Sequence, residues 1–304
     1  MTLLNNTNDG LHPELIVLFR AIAFFNSITY EDLLNFCLPK IMGENDDAVK
    51  IRLRGSLNNW IKLGLFKRNG DNVELNDRFG KIKKSDIDSY TNELSNIALE
   101  FVCLPKNAIP IWDEANNQGP SGDFVRAASW LLAQDIYTFP TKWEDVESMA
   151  ARQSMMQSPI IQNDFRWGNL RFWMRYFGLA TGESSSFKID PTSAIKSQLK
   201  SIFGTNKELP AKDFLISLSN KLPILDFGEY RKEVEKNLND SVWRRLNSNE
   251  LSQSISFGLR RLELKGAIQL RGKSDTGSSY RLIGSDHRQW AGFESVVWDK
   301  KNES

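Results

Sequence analysis

Leu57-Asn58-Asn59-Trp60-Ile61-Lys62-Leu63-Gly64-Leu65-Phe66 is the stretch on which the fold turns. A helical run with an apolar face stops at a glycine, the residue that most readily takes the left-handed conformation closing a helix. The polar turn Asn69-Gly70-Asp71-Asn72 comes next, and then Val73-Glu74-Leu75, so that two short strands flank a hairpin signal. The same order returns twice. Leu170 runs through Trp173 to Gly178-Leu179, then Gly182-Glu183-Ser184-Ser185, then Phe187-Lys188-Ile189. Leu259-Arg260-Arg261-Leu262-Glu263-Leu264-Lys265-Gly266-Ala267-Ile268 leads through a Gly/Ser-rich turn to Tyr280-Arg281-Leu282-Ile283. Helix, glycine and hairpin together read as the third helix and wing of a winged helix-turn-helix.

The residues upstream of each glycine fit that reading. Pro13 to Phe25 forms a first helix with Leu15, Leu18, Ile22 and Phe25 on one face. Thr29-x-x-Asp32 caps a second helix through Leu38, and a third spans 47–63 with Val49, Leu53, Leu57 and Trp60 inward. The second copy has helices over 123–137 and 163–177, with Thr141-x-x-Glu144 as a capping box between them. The third has 212–222, a start at Asp226-x-x-Glu229, and a helix over 249–265. From cap to glycine the three measure 35, 37 and 40 residues (29 to 64, 141 to 178, 226 to 266). Trp60 lies four residues before its glycine and Trp173 five, so the copies are not in strict register.

The expected fold is mainly α with short β-hairpins (α+β), built as tandem winged helix-turn-helix modules. Its divisions are 1–90, a winged helix-turn-helix; 91–120, a connecting helix and Pro-broken linker; 121–205, an aromatic-rich winged-helix-like module; and 206–304, a basic winged-helix module whose aromatic tail, Trp290 to Trp298, folds back.

With 40% hydrophobic and 25% charged residues, the 304-residue chain has the composition of a globular protein. No apolar run approaches membrane-spanning length, and the start of the chain lacks a signal-peptide pattern. Cys37 and Cys103 have no metal or redox spacing. A reduced, cytoplasmic protein is expected.

Catalytic chemistry finds few residues to use. The two histidines, His12 and His287, lie in no ligand cluster. Gly266 to Gly272-Lys273-Ser274 has five intervening residues where a phosphate loop needs four, and those five read as a strand. Glu263-x-Lys265 sits on a helix without the acidic strand of a metal-dependent nuclease. Neither enzyme activity, cofactor, metal nor small-molecule substrate is expected.

Net charge is only +1, but residues 240–290 hold nine Lys/Arg against five Asp/Glu. A local basic patch suits modest binding to duplex DNA. With Val49, Leu53 and Leu57 inward, Lys50, Arg54 and Asn58 share the outer face of the first module's third helix, flanked by Arg52 and by Arg68 in the wing. In the third module the corresponding set is Gln253, Arg260, Arg261, Lys265, Arg271 and Lys273. Trp167, Phe172 and Tyr176 of the second module put aromatic rings on several sides of one helix, which suits burial against another module or a partner protein. A scaffold that never touches nucleic acid is the competing reading, favoured by the near-neutral charge.

Three segments carry a family resemblance. Leu4-Asn5 with Asp9-Gly10-Leu11-His12-Pro13 and Leu18-Phe19-Arg20, Phe124-Val125-Arg126-Ala127-Ala128-Ser129-Trp130-Leu131-Leu132-Ala133-Gln134-Asp135, and Gln162-Asn163-Asp164-Phe165-Arg166-Trp167 resemble the DpdG family. That family belongs to bacterial gene clusters that insert 7-deazaguanine derivatives into DNA and restrict DNA lacking them. The resemblance implies a role in phage defence beside other proteins of such a system, and it carries over no catalytic residue.

Overall fold

A computed structural model describes residues 2–5, 11–38, 46–112, 117–272 and 279–299. It is an α+β fold, rich in helix, with small antiparallel sheets.

The N-terminal unit contains α1 (Leu11–Phe25), β1 (Ser27–Thr29), α2 (Tyr30–Cys37), α3 (Asp46–Leu63), β2 (Phe66–Asn69) and β3 (Asn72–Leu75). Leu15, Leu18, Phe19 and Ile22 of α1 meet Leu53, Leu57 and Trp60 of α3 in its core. The Thr29 hydroxyl accepts from the Asp32 amide at 3.1 Å and starts α2, as the capping signal implies. The hairpin β2–β3 gains a third strand, because β1 pairs antiparallel with β3. The order β1-β3-β2 ties the residues before α2 to the residues after α3.

Residues 91–112 and 117–120 are drawn into the body of the protein. Here α4 (Ile87–Asn92), α5 (Leu94–Val102) and α6 (Pro105–Ala108) come after the hairpin. Leu94, Ile97, Ala98, Leu99, Phe101 and Val102 are buried, and the Asn107 amide donates to the carbonyls of Leu63 and Phe101.

The middle of the chain is α7 (Gly122–Leu132), α8 (Trp143–Gln153), α9 (Asp164–Tyr176), the two-residue pair β4 (Ala180–Thr181) and β5 (Lys188–Ile189), and α10 (Thr192–Phe203). Helix α7 is buried along its whole length. The expected cap at Thr141 is not made: Lys142 precedes α8 without a side-chain cap, and the Thr141 carbonyl accepts from the Trp167 indole.

The C-terminal part is β6 (Glu208–Pro210), α11 (Ala211–Lys221), α12 (Glu229–Lys236), α13 (Gln253–Leu264), β7 (Ile268–Arg271), β8 (Tyr280–Ile283), β9 (Gln289–Phe293) and β10 (Ser295–Trp298). Asp226 does not cap α12. Its carboxylate instead accepts from the Ser252 amide at 2.6 Å and faces Arg231 at 3.4 Å. Ser252 caps α13, which therefore begins later than the periodicity suggests.

All three glycine stops are made, by the same bonds. Gly64, Gly178 and Gly266 have φ of +84°, +69° and +71°. In each case the glycine amide bonds the carbonyl three residues back and the next amide bonds the carbonyl five back: Gly64 to Ile61 and Leu65 to Trp60, Gly178 to Arg175 and Leu179 to Met174, Gly266 to Glu263 and Ala267 to Leu262. This is the Schellman closure of a helix end.

Past the glycine the copies diverge. After Gly266 the expected hairpin of Ile268–Arg271 with Tyr280–Ile283 does not form among the described residues. Strand β7 pairs with β10, β10 also pairs with β6, and β8 pairs with β9. The aromatic tail thus folds back by becoming a strand, with Val296 and Trp298 buried.

The three parts share one core. Trp60 meets Trp173 edge to face, the Asn169 amide donates to the Leu4 carbonyl, and Tyr230 donates to the Cys103 carbonyl. Ser254 of α13 donates to the Leu132 carbonyl at the end of α7.

Candidate nucleic-acid interface

On α3 the inward stripe leaves an outer face along Ile51, Arg54 and Asn58, all exposed, with Ile51 at 70%. Arg54 pairs with Glu31 at 3.3 Å, and Arg52, half-buried, pairs with Glu14 at 3.4 Å. Lys50 is half-buried on the same helix. Asn58 accepts from the Tyr30 hydroxyl at 2.9 Å. The Arg68 guanidinium lies 5.0 Å from the centre of the Tyr30 ring, and its Nε donates to the Gly70 carbonyl in the hairpin turn. Tyr30 is therefore the joint between the helix face and the hairpin, holding Asn58 on one side and Arg68 on the other. Lys67, on the other face of β2, is occupied by Asp77 and Glu74, whose hydrogen bonds hold its ammonium above the usual range.

The arrangement around α13 is different. Gln253, expected to face DNA, is 5% exposed and donates to the Gly284 carbonyl at 3.0 Å. That expectation is corrected, because the first turn of α13 is buried: Ser254, Ile255 and Ser256 are covered as well. Gly258 brings α13 against α10 so closely that a β-carbon there would sit 2.9 Å from Ile195 Cδ1. Arg261 is bound by Asp190 and lies over the Phe257 ring. Arg260 pairs with Glu263, and Arg271 pairs with Glu208 at 3.1 Å. Lys265 is exposed at the end of the helix. Lys273 lies outside the described residues.

Trp167 is 2% exposed, packed against Phe139 and Phe187, so it offers no surface to a partner protein. Rings on several sides of one helix suit burial against another module or a partner, and Trp167 is buried within the chain itself. Phe172 and Tyr176 are half-buried, Phe172 beneath Arg175 and Tyr176 against Trp173 and Phe177.

Two features carry no motif in the sequence. Tyr30 stands at an unspecified position inside the Thr29-x-x-Asp32 capping pattern. Phe24, Phe25 and Phe36 form an exposed edge-to-face aromatic group, with Lys84 Nζ 3.9 Å from the Phe24 ring centre. The adjacent Phe24-Phe25 pair at the end of α1 was the available signal, and the structure exposes both, Phe25 included, although its spacing places it on the helix's apolar face.

Among the described residues, no group of three or more His, Cys, Asp and Glu side chains is placed to hold a metal ion, and no helix is long and apolar enough to cross a membrane. Both cysteines are free thiols.

Comparison with known proteins places this architecture in a family. The DpdG-like family model matches residues 1–276, and the chain belongs to that family. Membership associates it with a DNA modification system made of several proteins. A separate similarity, 23% identity over 195 residues, links 60% of the chain to dynein axonemal intermediate chain 7 of Mus musculus. The match spans about a quarter of that protein (24%) and is too distant to assign a family or a role. No solved structure matches the chain significantly.

Proposed function

We propose that the protein is a non-catalytic, DNA-associated component of its modification system, and that the N-terminal unit is a winged helix contacting duplex DNA through α3 and the β2–β3 hairpin. The observation that carries this reading is the Tyr30 joint, which ties exposed Asn58 on the helix to exposed Arg68 in the hairpin, with exposed Arg54 one turn before Asn58 on the same helix. In a helix-turn-helix the recognition helix presents such residues to the major groove while flanking cations meet phosphate. The ion pairs with Glu14 and Glu31 temper the positive charge, so binding is modest and strongly salt-dependent. The test is titration of a labelled duplex with the full chain and with Arg54→Glu/Arg68→Glu, at several salt concentrations. Loss of affinity together with a shallower salt slope supports the interface. Unchanged affinity and slope overturn it.

A scaffolding role is favoured by one specific feature, the exposed Phe24, Phe25 and Phe36 group of the same unit. Such a patch suits contact with another protein of the system. The two readings use different residues and are compatible.

A further inference from the structure

A cavity of about 260 Å³ lies where the end of α7, α8, the 242–246 loop and the start of α13 meet. It shares no residue with the α3 surface.

Its lining is amide and aromatic. The Trp130 indole can only donate, so the Gln153 oxygen must face it, at 2.8 Å. Gln153 Nε2 then donates to the Gln134 oxygen at 3.0 Å, and Gln134 Nε2 donates to the Trp130 carbonyl at 2.9 Å. This chain of bonds fixes the orientation of both amides and uses one hydrogen of each NH₂ group, leaving each a second N–H to give. Gln253 also lines the cavity. Its Nε2 is committed to the Gly284 carbonyl, which fixes the amide, and its Oε1 is buried without a hydrogen-bond partner among the described residues. A buried acceptor left unpaired is costly, and native proteins keep few of them.

The walls include the Phe139 and Trp243 rings, and Trp243 is locked by its indole N–H on the Ala133 carbonyl at 3.3 Å. The two formal charges in the lining, Asp135 and Arg244, have opposite sign and are already engaged. Asp135 accepts from the Tyr137 amide and Arg244 pairs with Glu250 at 2.9 Å. His287, also in the lining, sits next to Asp286, and both hold φ near +50° (+52° for Asp286, +56° for His287). Non-glycine residues kept in that region are under strain and concentrate at binding sites.

We propose that this cavity binds a small, uncharged, planar heterocycle carrying both a hydrogen-bond donor and an acceptor, the chemical class of a nucleobase. The donor satisfies Gln253 Oε1, the acceptor meets a glutamine N–H, and the ring lies along the aromatic wall. Ligand sites for drug-sized molecules run roughly 300–1,000 Å³, so this space takes one or two fused rings and little more. The cavity and the α3 interface are separate sites, and neither depends on the other.

The test is calorimetric titration of the full chain with the free bases adenine, hypoxanthine, cytosine and thymine separately, with ribose as control. Saturable binding of at least one base, none of ribose, and at least a tenfold loss in Gln253→Leu are expected. Should Gln253→Leu fail to fold, Phe139→Leu serves in its place, with a loss of several fold. Arg54→Glu/Arg68→Glu should bind the base as the wild type does, which separates this site from the DNA surface. Absence of binding by all four bases, equal binding of ribose, or wild-type affinity in both cavity variants overturns the proposal.

Discussion

Helices α3 and α13 end in the same hydrogen-bonded closure and occupy the same place in their repeats, yet one is a surface and the other is a strut. The outer face of α3 carries exposed Ile51, Arg54 and Asn58. The first turn of α13 is wrapped by Leu132, Asp226, Gly284 and Ile283 through hydrogen bonds from or to Ser254, Ser252, Gln253 and Ser256. Base contacts in a helix-turn-helix come chiefly from the N-terminal residues of the recognition helix. The C-terminal third of the chain has the richer basic composition, but its arginines Arg260, Arg261 and Arg271 are each bound by a carboxylate, as Arg52 and Arg54 are on α3. Composition counts charges, whereas binding depends on which of them share one exposed helix face.

The sharpest way to break this comparison is at the support of α13. Arg231→Met should cost about 3–5 kcal/mol, because the buried Asp226 carboxylate beside it loses its guanidinium while still holding the Ser252 amide. Chemical denaturation measures this, and a change below about 1 kcal/mol would show that α13 needs no such anchor. Next comes DNA affinity. Arg54→Glu/Arg68→Glu should weaken duplex binding at least tenfold and lower the salt slope by about 2, while Arg260→Glu/Arg261→Glu should stay within roughly twofold at matched salt. A larger loss in the second pair would reverse the roles assigned to the two helices.

Polar side chains on the two helices should differ in the same sense. Ser254→Ala strands the buried Leu132 carbonyl and should cost about 1–3 kcal/mol, whereas Asn58→Ala, on an exposed face, should stay within about 0.5 kcal/mol. Equal costs would mean that α3 is held as tightly as α13.

The smallest effect concerns the thiols. Burial raises Cys37 from 9.0 to about 11 and Cys103 to about 12. Both should stay protonated at neutral pH and react slowly with a thiol-disulfide reagent, Cys103 most slowly. A folded state that binds these protons more tightly than the unfolded chain loses stability as pH rises from about 9 towards 11 and 12. Rapid labelling of Cys103 in the native protein would contradict its burial.

Much of the local structure was legible. The glycine stops, the Thr29 cap and the apolar stripes of α1 (Phe25 excepted) and α3 depend on neighbours within one or two helical turns, and those neighbours are written beside them. The thiols, the aromatic tail and the candidate cations could be named as well. The third hairpin could not, because strand pairing is non-local: Ile268–Arg271 and Tyr280–Ile283 are separated by a turn signal, yet β10, some twenty-five residues beyond β7, takes the partner's place. Thr141 and Asp226 have capping spacing, but neither caps its helix. The cavity draws its amides from three distant segments, so no motif announced it.

Sequence alone settled where the three glycine-ended helices stop and the main apolar stripe of each, because backbone closure and periodicity are short-range; the helix expected over 123–137 stops at Leu132 without such a signal. Tertiary structure decided which of the three similar helices keeps a free face. A helix bears the same side chains whether solvated or buried, and only the packing of α7, α10 and the C-terminal strands around α13 distinguishes it from α3.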